Sequence, residues 1–127
     1  MRIPALAALL LLAGCGRSDP PGVRRVESNA GGYRVRVESV PAEIPLNEPF
    51  SLRLRVEPSP PELRVDVDAR MPEHFHGMNR IPRVTRAPDG SFFAEGLLFH
   101  MPGLWELHID LHQGPRSERA QLDVTLK

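Results

Sequence analysis

From Tyr33 to the end of the chain, apolar side chains return at every second position, and that period leaves few choices of fold. Successive side chains of a strand point to opposite faces, so strict alternation marks a strand with one buried face. Tyr33, Val35 and Val37 alternate with Arg34, Arg36 and Glu38, and Phe50, Leu52, Leu54 and Val56 with Ser51, Arg53, Arg55 and Glu57. Leu63, Val65, Val67 and Ala69 alternate with Arg64, Asp66, Asp68 and Arg70. A short run stands at Arg83-Val84-Thr85-Arg86, and a further strand is expected from Ser91 to Phe99 after an Asp89-Gly90 turn. Trp105, Leu107, Ile109 and Leu111 alternate with Glu106, His108, Asp110 and His112, and Ala120, Leu122, Val124 and Leu126 close the chain. Proline and glycine fall between these runs and almost never inside them, as loops between strands require. No helical period competes. The pattern predicts an all-β domain, an immunoglobulin-like β-sandwich of about seven short antiparallel strands. Trp105, the only tryptophan, is expected at its centre between the sheets.

Ahead of the alternating region the chain changes character. Arg2 supplies a positive charge, Ile3 to Leu12 is almost unbroken apolar sequence, and Leu12-Ala13-Gly14-Cys15 reads as the small-residue box of a bacterial lipoprotein signal. Cys15 is the chain's only cysteine, as expected of a lipid-acceptor thiol. Residues 1–14 are therefore expected to be a signal peptide and Cys15 the acylated, lipid-anchored residue. An ordinary secretory signal with an incidental cysteine, or a short membrane anchor, is the alternative. Acyl chains would hold the protein to a membrane on its extracytoplasmic side, in the cell envelope. Gly16 rather than an aspartate follows Cys15, which favours the outer membrane where there are two. Residues 15–32, rich in Gly, Arg, Ser, Asp, Pro and Asn, are expected to be a flexible tether, with the folded domain over 33–127.

Without its signal the chain suffices for one domain with a modest core. Its 16 basic and 16 acidic residues balance, so it has no electrostatic footprint for nucleic acid or for an anionic membrane surface. With Cys15 acylated, no thiol remains for a disulfide, a zinc-thiolate site or nucleophilic catalysis.

The five histidines and four methionines are unevenly placed. Met71-Pro72-Glu73-His74-Phe75-His76-Gly77-Met78-Asn79 puts two of each into one connection, and His100-Met101-Pro102-Gly103 forms another. If successive strands run antiparallel, the first, third and fifth connections lie at one end of the sandwich. His74, His76, Met78, His100 and Met101 are then expected to converge there, beside the Pro41–Pro49 loop. Imidazole with thioether is a borderline-to-soft donor set that suits copper, above all Cu(I). The same residues also fit a metal-free role, with Met71, Met78 and Met101 plugging the open end of the core and the histidines bonding loop carbonyls. His108 and His112, with Glu106 and Asp110, are expected on a solvated outer face.

The two blocks M-P-E-H-F-H-G-M-N and D-G-S-F-F-A-E-G-L-L-F-H-M-P-G-L-W-E-L-H-I-D resemble the YtkA-like domain family of small exported proteins, with a similar look to the FixH family. The resemblance covers roughly residues 33–126 and implies an immunoglobulin-like sandwich related in shape to CopC-type copper proteins, with copper handling or oxidase assembly as the suggested role. The family pattern falls on Pro72, His74, His76, Gly77 and Met78, then on Gly96, Met101, Gly103 and Trp105. Phe75 is bulkier than the small residue expected between the two histidines. The amino-terminal histidine of CopC-type proteins is absent, which speaks against a Cu(II) site of that kind.

Two readings of function follow. One is a membrane-anchored extracytoplasmic copper-handling domain, with His74 and His76 as imidazole donors, Met78 and Met101 as thioether donors and His100 as a fifth group. The other is a metal-free module that binds a cell-envelope protein, for example in respiratory-complex assembly, with Phe75 as its aromatic anchor. No nucleophile elbow, Gly-rich phosphate loop or H-E-x-x-H occurs, so the chain is expected not to be an enzyme.

Overall fold

The computed structural model describes Gly14 and residues 16–127. Residues 1–13 and Cys15, and with them the signal peptide and the lipidation site, lie outside the described residues. The alternating runs form strands. In chain order these are β1 (Val23–Glu27), β2 (Arg34–Val40), β3 (Phe50–Glu57), β4 (Arg64–Met71), β5 (His76–Gly77), β6 (Arg83–Arg86), β7 (Phe92–Leu97), β8 (Gly103–Gln113) and β9 (Arg116–Leu126). They make two antiparallel sheets, β1-β2-β3-β7-β6 and β5-β4-β8-β9, that share one apolar core. The all-β sandwich expected from the alternation is what forms. No helix among the described residues is long and apolar enough to cross a membrane.

The buried side of each strand is the side the period assigns. β3 buries Phe50, Leu52, Leu54 and Val56, and β4 buries Val65, Val67, Ala69 and Met71. Trp105 is fully buried at the start of β8. Its indole lies flat on the Phe99 ring, centroids 4.6 Å apart, and Phe99 in turn meets Phe50 edge-on at 4.9 Å. This aromatic column bridges the two sheets at one end, where offset and edge-to-face contacts add to simple area burial.

The structure departs from the expected organisation in four places. The segment expected as tether contains β1, which pairs with β2 along five residues, so the lead-in shortens to residues 16–22, and there the Val23 N–H donates to the Pro20 carbonyl and Arg25 pairs with Asp19. An edge strand is held by backbone hydrogen bonds, and Val-Arg-Arg-Val-Glu needs no apolar alternation to form one. The turn that follows is tied down as well: the Gly32 N–H and the Ser28 hydroxyl both donate to Glu118 of β9, which is buried. A second departure is β7, which ends at Leu97 instead of Phe99 because an extra residue bulges against β3, with Gly96 at φ 84°. That left-handed position suits glycine, and the bulge returns Leu97 to the core. Thirdly, the short β5 forms inside the connection after β4. Lastly, His108, expected on a solvated face, is only 8% exposed. It sits on a central strand between Asp68 of β4 and Gln121 of β9, where neighbours on both sides shield it.

Registers fix which loops share an end. Val40 of β2 pairs with Ser51 at the start of β3, and Phe50 pairs with Leu97 at the end of β7. The Asn47 N–H donates to the Phe99 carbonyl at 2.8 Å, joining the 41–49 loop to the segment that carries His100. Met71, the last residue of β4, pairs with His76, and β8 begins beside them at Gly103. The connections after β2, β4 and β7 therefore meet at one end.

Candidate metal centre

A tight turn folds the Met71–Met78 segment back on itself. The His74 N–H donates to the Met71 carbonyl at 3.2 Å, and Phe75 takes a left-handed backbone, φ 55°. The reversal lets His76 and Gly77 pair with Met71 and Arg70 as β5. His76 Nδ1 lies 3.0 Å from the Gly77 carbonyl. A carbonyl only accepts, so Nδ1 carries the proton in that bond and the neutral ring keeps its free lone pair on Nε2. A ligand imidazole is commonly oriented by such a bond from its other nitrogen.

His100 comes from the connection between β7 and β8 and meets this loop. Its ring centroid is 5.3 Å from that of His76, and His76 is 5.9 Å from His74. The Trp105 ring forms the wall behind them, edge-to-face with His100 at 5.5 Å and with His76 at 6.2 Å. Trp105 Nε1–H donates to the Met101 carbonyl at 3.0 Å, which pins the His100–Met101 turn. His100 Nδ1 is buried and has no hydrogen-bond partner. Buried polar atoms are nearly always satisfied, so this nitrogen calls for a ligand.

The three predicted histidines are thus together, one exposed (His74) and two half-buried. Met78 follows β5 directly, Met101 follows His100, and both pack half-buried against the core. Met71 is different: it is 1% exposed and plugs the core beneath Gly103, where an added Cβ would come within 2.9 Å of its methyl.

A metal–imidazole bond is about 2 Å long, which puts each ring centroid about 3 Å from the ion and two ligating centroids about 5–6 Å apart. The observed spacings fall in that range. Ring orientation does not yet converge, since His74 and His76 stack at 25°. Among the described residues no three His, Cys, Asp or Glu side chains form a group that could hold a metal ion by themselves. The donor set at this end therefore depends on turning the exposed His74 ring and on thioethers, which is soft-metal chemistry.

The other two histidines are already committed. His112 places Nε2 3.1 Å from Asp66 and Nδ1 2.9 Å from the Ser117 hydroxyl, while His108 Nε2 lies 3.2 Å from Glu106. Beside them Arg119 grips Asp110 through two nitrogens, a hydrogen-bonded pair that pushes the guanidinium further up from its ordinary value. Sequence reasoning placed Trp105 in the core but missed that its ring also walls the histidine cluster. Its position four residues after Met101 was the available signal.

Compared with known proteins, the chain matches no family model, no curated protein and no solved structure.

Proposed function

We propose that this chain is a lipid-anchored domain of the cell envelope that holds Cu(I) at the loop end of its sandwich and exchanges it with a partner protein. His76, His100 and His74 supply imidazole, and Met78 and Met101 supply thioether. The observation that carries the reading is His100 Nδ1, buried without a partner in a ring whose centroid lies 5.3 Å from that of His76. A metal-free loop end leaves that nitrogen desolvated and unpaired, whereas a soft cation would satisfy it in the tautomer that puts the lone pair there. Exposure of His74 gives an incoming partner a point of entry, as a carrier that must release its metal requires. The resemblance to YtkA-like domains, and with it the immunoglobulin-like class of the sandwich, agrees with this reading. So does the anchoring of the mature chain through Cys15, in the outer membrane where two are present. No step of the proposed role is enzymatic.

A competition titration against a Cu(I) chelator under reducing conditions tests it. The chain from Gly16 onward contains every strand of the described residues and no thiol, so binding reports the folded domain alone. One Cu(I) should bind. His74→Ala with His76→Ala should abolish binding, and His108→Ala with His112→Ala should leave it intact. No measurable affinity in the unsubstituted chain would favour the metal-free interaction module instead. Equal loss from both histidine pairs would move the ligands to the other face.

A further inference from the structure

We propose that Ser117, His112 and Asp66 form a second site on the outer face of the four-stranded sheet, where Ser117 acts as a nucleophile toward short-chain carboxylic esters. The inference goes beyond the copper reading and uses none of its residues.

Three adjacent strands supply one residue each. His112 stands on β8 directly opposite Ser117 of β9. On its other side its partner is Arg64 of β4, and Asp66, two residues along, is its diagonal neighbour. The residues next to them in the chain, Val65, Leu111 and Glu118, turn the other way and are buried, so all three share the outer face. Direct partners and diagonal neighbours are the pairs that can touch on one face of a sheet. Here they do. His112 Nδ1 lies 2.9 Å from the Ser117 hydroxyl, and Nε2 lies 3.1 Å from an Asp66 carboxylate oxygen. The negative charge beside Nε2 favours the tautomer with its proton there, which leaves the lone pair of the neutral ring on Nδ1 to accept the Ser117 O–H. A hydroxyl held on a base, with a carboxylate beside the base, is the arrangement that makes serine a nucleophile. The two ring nitrogens exchange the parts they play in serine proteases, but the roles are defined by geometry. No local motif announces this site, because each residue comes from a different strand. The motif-based expectation of a non-enzyme therefore does not reach it.

The surroundings supply donors. A groove of about 360 Å³ is lined by Asn29, Asp110, His112, Ser117, Glu118 and Arg119. Asn29 Oδ1 accepts the Arg119 backbone N–H, which leaves the Asn29 amide N–H2 as a donor. Arg119 engages Asp110 through Nε and Nη2, which leaves Nη1. Donors beside a nucleophile can take up the charge that develops on an ester oxygen during attack. Among the described residues no apolar side chain lines the groove, so it suits a short acyl group on a polar alcohol and offers nothing to a long chain.

The reaction balances as hydrolysis. Ser117 Oγ bonds to the acyl carbon as its proton passes to His112 Nδ1. The carbon–oxygen bond to the alcohol then breaks, and the alcohol leaves with the proton from Nδ1. Water attacks the acyl-serine by the same route, with His112 again as base, and the acid departs with Ser117 restored. Asp66 stays ionised and steadies the imidazolium. Ser117 is exposed and so is the Asp66 carboxylate, so water screens the charges and turnover should be slow.

The test is labelling of the full chain by a fluorophosphonate, which accumulates on an activated serine however slow turnover is, read by intact mass and peptide mapping. One label should appear, on Ser117, and Ser117→Ala should remove it. His112→Asn should slow labelling at least about a hundredfold, and Asp66→Asn by a smaller factor, with denaturant melts showing each variant folded. The part of p-nitrophenyl acetate hydrolysis that Ser117→Ala removes should follow the same order, and p-nitrophenyl octanoate should be a poorer substrate. Ser117→Ala is the reference because the exposed His74 imidazole can attack such an ester by itself. No label, or label spread over several serines, overturns the proposal. Labelling of Ser117 undiminished in both His112→Asn and Asp66→Asn overturns it as well, since the serine would then react without its base. Preference for the octanoate overturns the short-chain assignment.

Discussion

Burying an imidazole nitrogen without a partner costs about 1–3 kcal/mol, and His100 Nδ1 bears that cost in the metal-free chain. Replacing His100 by Leu should therefore leave the metal-free domain as stable as before, or more stable by about 1 kcal/mol, while Cu(I) affinity falls sharply. Denaturant melts and chelator competition on one preparation measure both. A large loss of stability would mean that the imidazole serves the fold. Trp105 is the opposite case. It is fully buried, stacked on Phe99 and hydrogen-bonded to the Met101 carbonyl, so Trp105→Ala should cost about 3–5 kcal/mol through lost transfer energy and the cavity left behind. A loss below about 1 kcal/mol in the same melts would contradict its central place.

At the scale of elements, β1 and the turn after it are held to β9 through Glu118. Burial pushes the Glu118 carboxyl up, but the Gly32 N–H, the Ser28 hydroxyl and the Arg116 guanidinium outweigh that and hold it below its ordinary 4.5. Its folded-state value is depressed, so its contribution is present above pH 4.5 and fades as pH falls below that through the group's own lower value. Thermal melts should show the domain losing stability over that acid window, and Glu118→Gln should flatten the acid slope. An unchanged slope would mean that the contact is not formed. The major strands were legible in the sequence because each has one buried face and the period states it. β1 was not, since an edge strand is secured by its backbone and Val-Arg-Arg-Val-Glu reads as tether. The two-residue β5 was too short to carry any pattern. Convergence of the histidine loops was readable from the parity of the connections. The burial of His100 was not, because it depends on how Trp105 and Phe99 pack across the sheets.

For the whole molecule, the decisive fact is that the histidine cluster and the exposed apolar residues Leu46 and Phe75 belong to connections that share one end. The balanced charge offers no polybasic second signal, so Cys15→Ser should move the protein from the detergent phase to the aqueous phase on partitioning. Unchanged partitioning would remove the anchor from the account. What remains to be measured is the metal site itself. X-ray absorption at the copper edge, on the chain from Gly16 onward loaded with one equivalent of Cu(I), tests it most directly. The expected result is a low-coordinate ion with both imidazole nitrogen and thioether sulfur neighbours, and a changed shell in His100→Leu. A shell of light atoms alone, or one indifferent to His100, would contradict it.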